Sequence, residues 1–272
     1  MNNTKIGIIG CGTIGSTLAE KIAQNWELHA RVAYVADIDN DKAVALMGKL
    51  HLSGVEVVSI SDLIRYSDLV IEAASAEISG SIVLECLRNN TDVMVMSVGG
   101  VIDYYDKICS KLCIADSNIY LPSGAVCGID GVVAAKCGGI ESVSLITRKP
   151  PEGLVGAPYF AENNIDITSI DKETVVFEGT AREAIKYFPK NINVAAVLSL
   201  AGVGVDKTCV RIITSPGYTS NSHEIEVVGA FGKITTRCDN VPSPTNPKTS
   251  YLAILAAEAT LKKILTPFKI GT

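Results

Sequence analysis

The first constraints come from what this 272-residue sequence lacks. It has no excess of basic residues: 24 Lys and Arg stand against 29 Asp and Glu, a net charge of −5. With no basic stripe for a phosphate backbone, nucleic acid is not an expected partner. It has no long apolar run either. The most extended one, Val194 to Val205, is broken by Ser199 and two glycines and falls well short of the ~20 residues that a bilayer span needs. No basic segment leads into an apolar block near the start, so no secretory signal is expected and the reading is cytoplasmic. The eight cysteines show no Cys-x-x-Cys spacing, which points to reduced, mostly buried thiols rather than a disulfide framework. Cys109 and Cys113 can share a helix face, but without further His or Cys ligands nearby no metal site is expected. There is no internal repeat, and Val241–Pro247 reads as a stiff proline-rich connector.

What is present supports a two-domain protein. Hydrophobic residues make up 47% of the chain, enough for a sizeable core, and the length suits two domains. Residues Lys5 to Gly15 run from a short apolar strand into Gly10-Cys11-Gly12-Thr13-Ile14-Gly15. In this Gly-x-Gly-x-x-Gly pattern, Gly10 permits a tight turn, Gly12 lets the backbone approach a pyrophosphate, and Gly15 lets the next helix pack on the strand. The N–H groups of Thr13 and Ile14 then open a helix whose start attracts an anion. Strands at Lys5–Ile9, Arg31–Ala36, Val55–Ser59, Leu69–Ala74, Val93–Ser97 and Ile119–Leu121 alternate with helical stretches. That alternation predicts an α/β domain, a Rossmann-type doubly wound parallel sheet, over residues 1–121. Asp37 closes the second strand, 22 residues after Gly15. There it suits the ribose hydroxyls of NAD and opposes a 2′-phosphate, with NADP still possible; a helix-entry aspartate is the plainer alternative.

Ligands of such sheets bind at the carboxyl ends of strands. This singles out three turns of small residues: Ala73-Ala74-Ser75, Ser97-Val98-Gly99-Gly100 and Pro122-Ser123-Gly124-Ala125. Beyond residue 121 the pattern becomes strand-rich, predicting a second, α+β domain at 122–245. Residues 246–272 form a third segment whose helix, read from Lys248 to Leu265, is expected to pack back on the first domain.

Candidates for chemistry are few. His29 and His51 sit in polar surroundings and read as surface or capping residues. His223 differs: strand alternation puts it on the face of Ile225 and Val227, opposite Glu224 and Glu226. Such a histidine is either a hydrogen-bonded core residue or a group titrating near neutrality for proton transfer. Arg148, Lys149, Lys190 and Lys248 are candidate cations for a substrate carboxylate. Asn193, before an apolar helix, suits an N-cap or a nicotinamide contact.

Five separated phrases then coincide with one family: Leu121-Pro-Ser-Gly-Ala125 with Gly128-Ile-Asp130, Thr147-Arg-Lys-Pro150, Phe188-Pro-Lys-Asn-Ile-Asn-Val-Ala195, Asn221-Ser-His-Glu-Ile225, and Pro242-Ser-Pro-Thr-Asn-Pro-Lys-Thr-Ser250. Together, over essentially the whole chain, they resemble L-aspartate dehydrogenase. The resemblance implies NAD(P)-dependent oxidation of L-aspartate to iminoaspartate, which hydrolyses to oxaloacetate and ammonia or feeds NAD biosynthesis, in an expected homodimer. It implies His223 as the catalytic residue and Asn193 and Ala125 or Cys127 as cofactor contacts, joining Gly10, Gly12, Thr13, Ile14, Gly15, Asp37, Ala74, Ser97, Val98 and Gly99 from the loop and strand ends. Lys248, in a polar setting before a helix, is the first choice for positioning a substrate carboxylate, with Ser123 as a further expected substrate contact. Cys127 departs from the family's Ala or Gly. A homoserine-dehydrogenase-like or imine-reducing enzyme and a non-catalytic NAD sensor are the competing readings.

Overall fold

A computed structural model describes residues 3–25, 30–50, 54–189, 192–244 and 246–272, with side chains at 25, 50, 192, 247 and 248 outside the description. The expectations for His29, His51 and Lys190, and for the side chain of Lys248, lie outside the described residues. Two compact units emerge. One comprises Met1–Pro122 and Ile254–Lys269, the other Ser123–Ala253 and Ile270–Thr272.

The first unit is a six-stranded sheet of β1 (Thr4–Ile9), β2 (Ala30–Ala36), β3 (Glu56–Val57), β4 (Leu69–Glu72), β5 (Asp92–Val95) and β6 (Ile119–Tyr120), in the order β3-β2-β1-β4-β5-β6. All pairings are parallel. A parallel sheet is covered on both faces, which is why its strands are apolar throughout rather than alternating. Neighbouring residues of one strand feed different cores: Ile8, Ile71 and Met94 join one cluster, while Ile9, Val70, Val93 and Val95 join the other. The helices are α1 (Thr13–Asn25), α2 (Asn40–Leu50), α3 (Ile60–Tyr66), α4 (Ala76–Asn89) and α5 (Tyr105–Leu112). The chain order reverses between β1 and β4, so the carboxyl ends of those two strands flank the switch point where such sheets bind ligands.

The second unit holds β7 (Ile140–Lys149), β8 (Thr174–Thr180), β9 (Thr208–Thr214), β10 (Asn221–Gly229) and β11 (Gly232–Asn240), ordered β11-β10-β7-β9-β8. Only β7 and β9 run parallel; the other pairings are antiparallel. Its helices are α6 (Ile129–Gly138), α7 (Pro158–Glu162), α8 (Ala181–Tyr187) and α9 (Ile192–Ala201). Three of the five phenylalanines meet in its core: Phe160, Phe177 and Phe188 pack with ring centroids 5.2–5.8 Å apart. Phe160 arrives on α7, within an irregular stretch from Pro151 to Ser169 for which sequence patterning offers no element.

The C-terminal segment needs a correction. Residues 246–250 are not helical but form a strand paired antiparallel with Pro242–Ser243. Three prolines lie within 242–247 and lack the N–H that a helix uses, so the chain closes as a two-stranded ribbon before α10 starts at Tyr251 (Tyr251–Leu265). Ala257 and Leu261, one turn apart on α10, are fully buried in the cluster of Leu18 and Ile22.

Candidate active site

The glycine loop has the geometry its sequence implies. Gly10 has φ +95°, and a Cβ there would lie 2.5 Å from the Ala73 carbonyl oxygen. A Cβ on Gly15 would lie 2.0 Å from the Gly10 carbonyl oxygen. Both positions are therefore closed to any side chain by backbone atoms that cannot move cheaply. Gly12 is the reverse: it is exposed, and an added Cβ meets nothing within 4 Å. Space stands open in front of the loop, and the first turn of α1, with Thr13 and Ile14 half-buried, carries no acidic residue. A pyrophosphate fits this cradle sterically and electrostatically.

Asp37 is tied to the same loop. Its carboxylate accepts the Cys11 N–H at 2.7 Å and the Asp39 N–H at 2.8 Å. Asp39 in turn accepts the Asp41 N–H at 3.2 Å and opens α2. A carboxylate offers about four acceptor directions, so two backbone donors leave capacity for a ribose diol.

Glu72 was not singled out by sequence reasoning. It ends β4 with 0% exposure, and its carboxylate accepts the Ala74 N–H at 2.9 Å and the Ser97 N–H at 3.0 Å. Burial pushes its pKa up, and the hydrogen bonds from Ser97 and Ala74 pull it back. One side chain thus holds together the turns after β4 and β5 that carry Ala74 and Ser97. Ala74 is exposed and Ser97 half-buried, while Val98 and Gly99 are buried in the first turn of a 3-10 helix, Val98–Tyr104. The only sequence signal for Glu72 is a carboxylate at the end of an otherwise apolar strand.

In the second unit, His223 lies on the buried face of β10, 5% exposed. The β7–β10 register sets it opposite Thr147, and Thr147 Oγ1 is 3.0 Å from His223 Nδ1. Lys149 follows two residues along β7, on the same face, 8% exposed. Its carbonyl accepts the Thr214 hydroxyl at 2.8 Å. Desolvation, together with the charge of Lys149, presses the His223 pKa down to about 3, and desolvation takes Lys149 down to about 8. Near neutrality the imidazole is uncharged and the lysine largely protonated. Thr147 and Lys149 also line a small cavity with Leu145, Leu154, Phe188 and Ile212.

The other second-unit candidates divide. Arg148 points to the opposite sheet face, where it pairs with Glu224 at 2.9 Å. Asn193 is exposed in the first turn of α9, which begins at Ile192. Asn193 therefore lies inside the helix and is not its cap. Ser123 is half-buried, Ala125 buried and Cys127 exposed. The Ala125 carbonyl accepts Asn240 Nδ2 at 3.0 Å, and the Cys127 carbonyl accepts Thr236 Oγ1 at 3.1 Å.

Comparison with known proteins bears on both units. Residues 10–122 match the family profile of the homoserine dehydrogenase NAD-binding domain. That match, with the sheet order and the open glycine cradle, places the chain among nicotinamide-dependent dehydrogenases. Residues 130–264 match the aspartate dehydrogenase C-terminal profile. The L-aspartate dehydrogenase of Methanosarcina mazei is 47% identical over 98% of this chain and 99% of its own, and that of Nitrosopumilus maritimus is 41% identical over 98% and 99%. The crystal structure of aspartate dehydrogenase from Thermotoga maritima superposes with a TM-score of 0.75 at 27% identity, covering 99% of this chain and all of that one. The chain belongs to the L-aspartate dehydrogenase family.

Proposed function

We propose that the protein oxidises L-aspartate at Cα with NAD or NADP, giving iminoaspartate that hydrolyses to oxaloacetate and ammonia. One observation carries the reading: in a chain of this family, His223 on an apolar strand face is buried, uncharged and hydrogen-bonded through Nδ1 to Thr147. When bound, the nicotinamide supplies the hydride acceptor. Gly10 to Gly15 hold its pyrophosphate, Asp37 its adenosine ribose, and Ala74, Ser97, Val98, Gly99, Ala125, Cys127 and Asn193 are its remaining proposed contacts.

The chain's own chemistry is proton handling. An ammonium group must lose a proton before a C=N bond can form. The tautomer with Nδ1–H donating to Thr147 Oγ1 leaves the Nε2 lone pair to accept that proton or to activate the hydrolytic water. A dicarboxylate beside the imidazole raises its proton affinity, opposing the burial and the Lys149 charge that depress it. His223 is thus a weak base without substrate and a stronger one with it. Ser123 and Lys248 are the proposed substrate contacts; Lys248→Ala should raise the aspartate KM.

The oxidation suits a cytoplasmic enzyme feeding iminoaspartate to NAD biosynthesis, and a homodimer is the simplest closed assembly. The test is a panel of L-aspartate, homoserine and other amino acids with NAD and NADP, and of oxaloacetate plus ammonia with the reduced forms, followed by nicotinamide absorbance. Turnover of aspartate is expected; turnover of homoserine without aspartate would overturn the reading.

A further inference from the structure

The segment Ala125–Gly128 is laced onto one face of β11. Asn240 donates to the Ala125 carbonyl and Thr236 to the Cys127 carbonyl. Gly128, at φ +83°, comes so close that an added Cβ would lie 2.8 Å from Thr236 Cγ2. Cys238 lies midway between Thr236 and Asn240, and strand alternation gives all three the same face. Its thiol interacts with that of Cys127. Cys127 is exposed and Cys238 half-buried. Cys238 is also the residue paired with His223 in the β10–β11 register.

We propose that Cys127 and Cys238 form a dithiol that a low-molecular-weight disulfide such as glutathione disulfide oxidises to an intramolecular disulfide, fixing Ala125–Gly128 to the strand beside His223 and weakening cofactor binding and turnover. The reaction balances as two thiol–disulfide exchanges. The sulfur of Cys127, the exposed partner, attacks glutathione disulfide and breaks its S–S bond; one glutathione leaves with the Cys127 proton. Cys238 then attacks the Cys127 sulfur of the mixed disulfide, and the second glutathione leaves with the Cys238 proton. The two cysteines lose two electrons and two protons, and glutathione disulfide gains them. Burial and the neighbouring Cys127 push the Cys238 thiol up to about 11, which assigns it the second, intramolecular step, where proximity offsets a low thiolate fraction.

The effect on turnover rests on the aspartate dehydrogenase reading; the bond itself does not. The test treats the reduced full-length chain with excess glutathione disulfide. Peptide mapping should find a 127–238 cross-link, aspartate turnover should fall about tenfold or more, and dithiothreitol should restore it. Binding of reduced nicotinamide, read by its fluorescence, should weaken in parallel, a readout that stands even if aspartate is not the substrate. Cys238→Ser should keep its reduced-state turnover, form no cross-link and accumulate glutathione on Cys127. Absence of the 127–238 link in the unmodified sequence overturns the site. A cross-linked protein with unaltered cofactor binding and turnover overturns the switch.

Discussion

Thr147 Oγ1 and His223 Nδ1 meet at 3.0 Å between adjacent antiparallel strands, and both residues are buried. That contact holds the ring's plane and gives Nδ1 a partner in either tautomer, because a hydroxyl can donate or accept. Thr147→Val keeps the shape and removes the hydroxyl, leaving a buried ring nitrogen unsatisfied at a cost of about 1–3 kcal/mol. Steady-state kinetics on aspartate should show kcat lowered about 10- to 100-fold with the cofactor KM little changed. Thr147→Ser should recover most of the loss, since it restores the oxygen. A Thr147→Val enzyme with an unaltered kcat and pH profile would remove Thr147 from the proton-handling role.

The depressed pKa of His223 predicts how stability varies with pH. In the unfolded chain the imidazole titrates near its ordinary value of 6.5, whereas in the fold it does so at about 3. Between these values the unfolded state binds the extra proton. The stability contributed by the neutral histidine is therefore complete above pH 6.5 and declines by about 1.4 kcal/mol per unit as pH falls, reaching ~2 kcal/mol near pH 5. Thermal melting of the ligand-free protein from neutral to mildly acid pH should show this decline, and His223→Gln should flatten it. Equal slopes in the two proteins would contradict a buried neutral imidazole.

Much of this was legible from the sequence, and the remainder fails for physical reasons. The Rossmann strands announce themselves because a sheet covered on both faces needs uninterrupted apolar runs, and Ile8 beside Ile9 serves both cores. His223 was picked out by period-two alternation, a local signal. Its partner Thr147 was not, because the β7–β10 register is set by pairing across 76 positions. Glu72 escaped notice for a related reason: inside the predicted strand Leu69–Ala74 its carboxylate has no visible partner until the fold brings the Ala74 and Ser97 N–H groups onto it. Asn193 and Lys248 show the limits of boundary reading. One falls inside the helix it was expected to cap, and the other lies in a ribbon that only tertiary pairing reveals.

Glu72 accepts two backbone N–H groups, one on each carboxyl oxygen and one per turn. Glu72→Gln turns an NH2 toward one of those N–H groups, so one turn loses its anchor. The expected result is a cofactor KM raised about tenfold and a kcat changed much less, with Glu72→Asp intermediate. Isothermal titration of the reduced nicotinamide would check the same point without turnover. If Glu72→Gln lowers the melting temperature but leaves cofactor affinity intact, its role is in the fold alone.

Asp37 is bonded to the loop through the Cys11 N–H and is proposed to hold the ribose, so its replacement should have two separable effects. Asp37→Ser removes the negative charge that opposes a 2′-phosphate and also frees the Cys11 N–H. NAD affinity should fall about tenfold, while NADP affinity should fall less or rise. The discriminating quantity is the NAD-to-NADP ratio of kcat/KM, because loosening the loop harms both cofactors equally and cancels in it. An unchanged ratio would assign Asp37 to holding the Cys11 and Asp39 backbone only.

The two leading glycines of the loop should separate binding from stability. At Gly10 the backbone has φ +95° and a Cβ would press to 2.5 Å from the Ala73 oxygen, so Gly10→Ala must shift main chain on β4's exit and should destabilise by a few kcal/mol. At Gly12 the same methyl group meets open space. Gly12→Val should therefore leave the melting temperature within about a degree or two of the parent. Its side chain occupies the room that a pyrophosphate needs, so affinity for both NAD and NADP should fall by about a hundredfold or more. Melting curves with and without cofactor resolve the two: Gly10→Ala melts lower in both, whereas Gly12→Val melts normally alone and loses the cofactor-dependent rise. A Gly12→Val protein still stabilised by NAD would mean that the pyrophosphate does not lie over this loop.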